Sequence, residues 1–369
     1  MIYLDHAATT PLDKNVLNKM LPFMQSAFGN PSSQHSLGRE SANAVIAARD
    51  KTAALIGCAP NEVYFTSGGT ECGNWAVKGA CLERGKGHVL VSAIEHPCVK
   101  ESAYDLQKLG FIVEEIPPDE SGVISAKAVE ERIREDTVFC AVMHANNETG
   151  VIQPVEEIGS LLKERGIFYY CDCVQTAGVL PLPVKSCTAL GISAHKFYGP
   201  SGAGAFYLEK GAKIARLFSG GRQEKGLRGG TLNTPQIVGL AEALFLAYQT
   251  DYGKVEKLKN KFVKGVLSGI SGSHLNGGGK ILPAHANISF DGCDGANLLF
   301  LLDMAGVAVS TGSACSAGAV TPSAVISSMA GEERAKSAVR FSFGKDNTES
   351  EVDEVLAILK RCVGKIRNC

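Results

Sequence analysis

The chain is 369 residues long, and 45% of its residues are hydrophobic while 20% are charged. A single hydrophobic core rarely extends beyond about 250–300 residues, so this length predicts two domains. Lysine and arginine total 37, aspartate and glutamate total 38, and the net charge is −1. This balance excludes an extended basic surface for nucleic acid or anionic lipid.

Neither membrane insertion nor secretion is expected. The richest apolar run, residues 298–309, is interrupted by Asp303 and is shorter than the ~20 residues that span a bilayer. The first residues lack a basic segment followed by an apolar one, so we expect no signal peptide and a cytoplasmic location. The twelve cysteines are then expected to be reduced and mostly buried.

Residues 60–210 alternate strand-like and helix-like segments. Most strand candidates are apolar on both faces, which is typical of buried parallel strands. Pro154 and Gly166 bracket one helix, and Thr234 and Pro235 open another. The alternation predicts an α/β fold with a mostly parallel sheet covered by helices. The strand candidates are 63–65, 88–92, 111–116, 138–143, 168–171, 191–194 and 203–208.

The last third predicts a smaller α+β domain. Thr348 and Glu351 form a capping box, and apolar residues follow it at helical spacing. Strand-like segments lie at 287–290 and 339–343. We expect a large domain at residues 13–250 and a small domain built from residues 1–12 and 251–369.

Two glycines separate a strand from a helix start near Thr70. Free amides at this turn, with the hydroxyls of Ser67 and Thr70, suit a phosphate group. The turn is neither a Walker A loop nor GxGxxG. An ordinary strand–turn–helix capped by threonine is the alternative.

A lysine and an aspartate each stand at the end of an apolar strand. Lys196 lies where open α/β sheets place ligands, and partial desolvation there makes it a candidate Schiff-base nucleophile. Asp172 is expected to be buried, and a protonated pyridine nitrogen is one positive partner for it. The alternative for Lys196 is a surface lysine that caps a strand. Cys171 and Cys173 could instead be metal ligands, although the sequence lacks a second cysteine pair at zinc spacing.

Three further residues stand in segments suited to chemistry. His96 follows a strand and either stacks on a planar cofactor, shuttles protons or is a structural histidine. Cys315 lies among small residues at 310–319, where an exposed thiol can act as a nucleophile or be incidental. Arg340, inside a strand-like run, suits a substrate carboxylate or a structural ion pair.

Taken in chain order, these motifs resemble those of the cysteine desulfurases of the NifS/IscS type, within the class-V aminotransferase-like pyridoxal phosphate enzymes. The resemblance covers almost the whole chain and implies the fold-type-I architecture of that group. The matching segments are 3–11, 29–33, 66–71, 95–96, 146–150, 172–175, 193–200, 228–231, 313–315 and Arg340.

The resemblance implies pyridoxal 5'-phosphate as cofactor and a role for each matching residue. Lys196 would hold the cofactor, Asp172 would face the pyridine nitrogen, and Cys315 would be the nucleophile. The other implied contacts are His96, Asn147 and Gln175 with the ring; Gly69, Thr70, Ser193 and His195 with the phosphate; Thr231 with the phosphate of the neighbouring subunit in a homodimer; and Arg340 and Asn30 with the substrate carboxylate.

The implied reaction converts L-cysteine to L-alanine. Its sulfur would pass as a persulfide on Cys315 to an acceptor protein such as an iron–sulfur scaffold. No resident metal is implied, although Cys315 could be a transient iron–sulfur ligand together with such a scaffold. No nucleic acid or membrane partner is expected.

Three positions depart from the family pattern, namely Gly69, Cys173 and Arg222. None removes a group that the chemistry needs, but Cys173 leaves open whether Cys315 is the only thiol at the site. The rival interpretations are an aminotransferase or selenocysteine lyase on the same fold, and a cofactor-free sulfur carrier or metal-binding protein.

Overall fold

The computed structural model describes residues 1–312 and 322–368, so Cys315 lies outside the described residues. Short helical turns at Pro60–Glu62, Ala194–Lys196 and Gln223–Gly226 and a π-helical turn at Trp75–Gly79 accompany the regular elements. The strands are β1 (Ile2–Tyr3), β2 (Val63–Thr66), β3 (His88–Ser92), β4 (Ile112–Ile116), β5 (Thr137–Ala141), β6 (Phe168–Asp172), β7 (Ala189–Ser193), β8 (Gly204–Leu208), β9 (Ser273–Asn276), β10 (His285–Phe290), β11 (Val307–Ala308) and β12 (Ala338–Ser342).

The helices pack around these strands. They are α1 (Lys14–Gln25), α2 (Ser36–Ile56), α3 (Gly69–Asn74), α4 (Ala80–Arg84), α5 (Pro97–Gln107), α6 (Ala126–Glu130), α7 (Val155–Glu164), α8 (Thr234–Ala247), α9 (Tyr252–Gly269), α10 (Gly295–Met304), α11 (Ala324–Ala330), α12 (Glu332–Lys336) and α13 (Glu349–Arg367). Among the described residues, no helix combines the length and the apolar character that a bilayer crossing needs.

The central sheet has seven strands in the order β2-β8-β7-β6-β5-β3-β4. The pairs from β7 through β6, β5 and β3 to β4 are parallel, and β8 is antiparallel to both of its neighbours. Each of the seven strand candidates forms one of these strands, so the predicted α/β fold with a mostly parallel sheet is confirmed. The carboxyl ends of β6 and β7 therefore meet at one edge.

Helices cover both faces of this sheet. Tyr169 and Cys171 of β6 point into a core shared with α2, α7 and α8. Phe168 and Tyr170, which alternate with them, point into a core shared with the α3–α4 segment and α5. Because both faces are buried, β6 is apolar along its whole length until Asp172.

A further core joins the two ends of the chain. Strands β9, β10 and β12 form an antiparallel sheet, and β1 pairs in parallel with β11. Ile2 and Leu4 pack there with α9, α10 and α13. The capping box at Thr348 opens α13, as the sequence predicts. The domain boundaries at residues 13 and 250 stay a prediction.

The attachment of the first residues to this C-terminal core can be measured. Leu4 is 1% exposed within it, so Leu4→Ala should lower the free energy of unfolding by about 2–5 kcal/mol. Leu17 on α1 is 39% exposed, and Leu17→Ala should change that free energy by less than about 0.5 kcal/mol. Urea unfolding of both variants tests this. Equal losses of unfolding free energy in Leu4→Ala and Leu17→Ala would contradict the packing of Leu4 in the C-terminal core.

Candidate active site

Lys196 lies immediately after β7, in the short helical turn Ala194–Lys196. Its Nζ donates hydrogen bonds to the carbonyl oxygens of Ala7 and Ala8, each at 2.7 Å. The segment that follows β1 therefore crosses the carboxyl edge of the large sheet and touches the predicted nucleophilic amine.

Asp172 ends β6, the parallel neighbour of β7, and is 6% exposed. Its Oδ1 accepts a hydrogen bond from the Val174 amide at 2.9 Å. Burial raises the pKa of Asp172 to about 6, while the Val174 hydrogen bond and the positive charge of Lys196 act to lower it. The aspartate and the lysine thus share one edge of the sheet and are electrostatically coupled.

Two histidines flank this pair. His96 caps α5, and its Nδ1 accepts the Cys98 amide proton at 3.2 Å, which leaves the ring proton on Nε2. The Nδ1 of His195 lies 3.1 Å from the hydroxyl of Thr9. Burial, with a smaller effect from the charge of Lys196, lowers the pKa of both histidines to about 4. Both rings are therefore neutral at pH 7.

The predicted phosphate turn lies beside these residues. Gly68 has φ of +150°, which favours glycine, and α3 begins at Gly69. A Cβ on Gly69 would lie 2.7 Å from a methyl of Val174, and one on Gly68 would lie 3.5 Å from Ser193 Oγ. The turn thus packs against the chain just beyond Asp172 and against the end of β7. Thr70 lies exposed in the first turn of α3.

An ion pair that sequence reasoning missed fastens this turn to the loop before Thr231. The guanidinium of Arg228 binds both carboxylate oxygens of Glu71, at 2.8 and 3.1 Å. Glu71 also accepts the Ser67 amide proton at 2.7 Å. Burial raises the pKa of Glu71, but the Arg228 and Ser67 contacts prevail and hold it below its usual value. The available signal in the sequence was the position of Glu71, an acidic residue at the start of the helix that follows the glycine turn.

Two of the expected ring contacts, Gln175 and Asn147, have different hydrogen-bond partners. Gln175 Nε2 donates to the Ala7 carbonyl at 3.0 Å, so that oxygen accepts from both Gln175 and Lys196. The Asn147 carbonyl accepts from Arg340 at 2.9 Å. Glu95, to which sequence reasoning gave no role, is buried behind the site, and burial together with the charge of Asp172 raises its pKa to about 8.

Arg340 lies in β12 and is 3% exposed. Its guanidinium donates to Asp5 Oδ1 at 2.8 Å in addition to the Asn147 carbonyl. The sequence left open whether Arg340 binds a substrate carboxylate or forms a structural ion pair. The structure contains an ion pair, with Asp5. The described contacts of Asn30 do not include Arg340: its Oδ1 accepts the Ser32 amide, and it shares a surface depression with the exposed Thr231.

The thiols beside Asp172 point away from the site. Cys171 and Cys173 are fully buried in the core on the opposite face of β6, with their sulfur atoms 3.8 Å apart. Burial raises the pKa of the Cys173 thiol. Within residues 1–312 and 322–368, no three histidine, cysteine or acidic side chains are grouped so that they could hold a metal ion.

Known proteins resemble this chain along almost its full length. The family "Aminotransferase class-V" matches residues 2–355. The cysteine desulfurase IscS of Dictyoglomus turgidum is 42% identical over 99% of this chain and 95% of its own length. The cysteine desulfurase IscS of Methanosarcina thermophila is 42% identical over 100% of this chain and 93% of its own.

Solved structures show the same fold along the full chain. A NifS-like protein superimposes with a TM-score of 0.92 at 36% identity and covers 99% of both chains. A structure described as SspA in complex with cysteine has a TM-score of 0.85 at 34% identity and covers 94% of this chain and 100% of its own. This chain belongs to the class-V aminotransferase family, whose members depend on pyridoxal phosphate. Within that family it is similar to the cysteine desulfurases.

The residues present fit that cofactor. The sheet edge brings together the primary amine of Lys196, the buried carboxylate of Asp172 and the neutral imidazole of His96. Asp172 in particular is a buried acid whose environment favours a positively charged partner. A glycine turn lies beside them at Gly68 and Gly69.

The neutral histidines make the protein sensitive to acid. The folded-state pKa of His96 and His195 lies below the ordinary 6.5, so the unfolded chain binds more protons as the pH falls from 6.5 to about 4. The contribution of these two histidines to stability is full above pH 6.5 and is lost through this window. Urea unfolding of the cofactor-free protein near pH 7 and pH 5 measures the loss. His96→Gln keeps an acceptor for the Cys98 amide and should lose less; an equal loss would contradict the assignment.

Proposed function

We propose that this chain is a cysteine desulfurase that converts L-cysteine to L-alanine and delivers the sulfur to an acceptor protein. The observation that carries the proposal is the meeting of Lys196 and Asp172 at one sheet edge, in a chain similar over its full length to enzymes of that name. The coupling of these two residues supplies the charge pattern that the cofactor of this family requires.

Lys196 is the residue proposed to hold pyridoxal phosphate, and Asp172 the residue that faces its pyridine nitrogen. When bound, the cofactor supplies an electron-accepting ring that stabilises negative charge at the substrate α-carbon. The neutral imidazole of His96 would lie against the ring and present its Nε2 proton. Gln175 and Asn147 would bind the ring hydroxyl, and Gln175 already lies within hydrogen-bonding distance of the segment that touches Lys196.

The phosphate would be bound by Gly69, Thr70, Ser193 and His195. The packing of the glycine turn beside Ser193 supports this placement. Thr231 lies exposed at the end of the loop that Arg228 fixes, and we assign it to the phosphate of a second subunit. The functional unit would then be a homodimer.

Arg340 is proposed to bind the substrate carboxylate. Its pairing with Asp5 means that an arriving carboxylate must share or replace that contact, and two planar oxygens suit the guanidinium. Asn30 as a second carboxylate contact rests on the resemblance alone.

Cys315 is proposed to take the sulfur. Its thiolate attacks the sulfur of the bound substrate, the carbon–sulfur bond breaks and a sulfur–sulfur bond forms. The substrate carbon keeps the electron pair and takes up a proton, so the products are L-alanine and a persulfide on Cys315. An iron–sulfur scaffold is the proposed acceptor, with Cys315 as a transient cluster ligand there, and a cytoplasmic location is part of the proposal.

Two rivals share this fold and would be separated by their products. An aminotransferase needs a keto acid as co-substrate and does not need Cys315. A selenocysteine lyase would prefer the selenium analogue of the substrate. Alanine release from L-cysteine without a keto acid excludes the first, and the ratio of kcat/KM for the two amino acids decides the second.

Asp172→Asn should keep the fold and lose activity by roughly 10²-fold or more, because a neutral amide cannot hold the pyridine nitrogen protonated. Cofactor content from the absorption spectrum and kcat with L-cysteine are the measurements. Cys173→Ala, which alters the adjacent core side of the strand, should stay within threefold of wild type in kcat. Near wild-type turnover of Asp172→Asn with cofactor bound would refute the role.

Cys315→Ser should still change the spectrum on addition of L-cysteine but release no alanine catalytically, because a serine hydroxyl is not ionised near pH 7 and cannot carry a stable persulfide. Mass spectrometry of the wild-type protein after substrate should find one added sulfur on the peptide containing Cys315. Sulfur found only on Cys171 or Cys173 would move the nucleophile, and a wild-type protein that makes no alanine would refute the proposed function.

A further inference from the structure

Glu148 is a buried carboxylate to which the steps above give no task. It lies in residues 146–150, where the Asn146 side-chain oxygen accepts the amides of Glu148 and Thr149, each at 2.9 Å. The Glu148 residue is 8% exposed, and the neighbouring carbonyl of Asn147 is the one that binds Arg340. The backbone of this turn is therefore fixed beside the proposed substrate arginine.

The Glu148 side chain contacts both ends of the segment that contains Cys315. Its Oε2 accepts a hydrogen bond of 2.5 Å from the hydroxyl of Ser323, on the C-terminal side. On the N-terminal side Gly312 packs so closely against the same carboxylate that a Cβ there would overlap it. One side chain thus joins two chain ends that lie on either side of the nucleophile in sequence.

Each end is also tied to a regular element. Ser310 and Arg340 exchange two backbone hydrogen bonds, at 2.7 and 3.2 Å. The Ser323 hydroxyl, besides donating to Glu148, accepts the Ile326 amide and so caps α11. The carboxylate therefore connects the strand that carries Arg340, through Gly312, with the start of α11.

The contact has an energetic reason to persist. A buried carboxylate is costly unless it is hydrogen-bonded. Burial raises the pKa of Glu148, while the Ser323 hydrogen bond and the charge of Arg340 lower it. Ser323 is 4% exposed, so loss of Glu148 would leave its hydroxyl without this acceptor.

We propose that Glu148 is a positioning residue for sulfur transfer: it holds Gly312 and Ser323 together, and so fixes the two points from which Cys315 is presented to the substrate. This inference rests on the proposed function. The described contacts of the Glu148 carboxylate are with Ser323 and Gly312, and the substrate carboxylate is assigned to Arg340. Loss of Glu148 should therefore slow the transfer of sulfur to Cys315 without weakening the binding of L-cysteine.

Four single variants of the holoenzyme test this. Glu148→Ala should transfer sulfur to Cys315 at least tenfold more slowly, measured by mass spectrometry after rapid quenching. The spectral change with L-cysteine should give a Kd within threefold of wild type. Glu148→Gln keeps an oxygen that can accept from Ser323 and should restore the rate to within threefold. Ser323→Ala should be slow in the same way, whereas Ser125→Ala, which removes a serine cap from α6, should behave as wild type.

The double variant Glu148→Ala/Ser323→Ala shows whether the two residues act through the hydrogen bond between them or independently of each other. If the two residues act through one hydrogen bond, the double variant should be no slower than Glu148→Ala alone. If Glu148→Ala does not fold, Ser323→Ala decides the question. Wild-type transfer rates in Ser323→Ala, or a parallel loss of cofactor and of substrate binding in Glu148→Ala, would overturn the inference. A wild-type enzyme that makes no alanine would instead refute the proposed function.

Discussion

A buried carboxylate beside a lysine organises the candidate site of this molecule. Asp172 is buried at the end of β6, and burial alone would favour its neutral form. The parallel pairing of β6 with β7 brings the Lys196 turn to the same edge, and that positive charge opposes the effect of burial. Burial, and to a smaller degree the charge of Lys196, lowers the pKa of His96 and His195 and so favours their neutral forms.

The segment after β1 links this edge to the C-terminal core. Leu4 is buried with α9, α10 and α13, whereas Ala7 and Ala8, a few residues later, bind Lys196. Between them Asp5 pairs with Arg340 of β12. A short stretch of chain therefore fixes the distance between the proposed cofactor lysine and the proposed substrate arginine. The candidate site therefore includes this stretch as well as the edge of the large sheet.

Residues 146–150 form a second link between the same parts. The Asn147 carbonyl binds Arg340, and the Glu148 carboxylate binds Ser323 and meets Gly312. Adjacent residues of one turn thus contact Arg340, the proposed substrate arginine, and the two ends of the segment that contains Cys315. The Asn146 side chain accepts two backbone amides of this turn and so fixes the backbone from which both contacts are made.

Local sequence patterns were enough to predict the strand and helix alternation, the capping box of α13 and the positions of Lys196 and Asp172 at strand ends. These features follow from local periodicity and from the rule that parallel strands end at one edge of a sheet. The pairing of charged side chains, in contrast, became visible in the folded chain alone. Glu71 and Arg228 are 157 residues apart, and Arg340 pairs with Asp5 near the other end of the chain. The tertiary structure also places the Cys173 thiol in the core and away from the site. Such partners depend on how distant segments pack, and no local pattern encodes that packing.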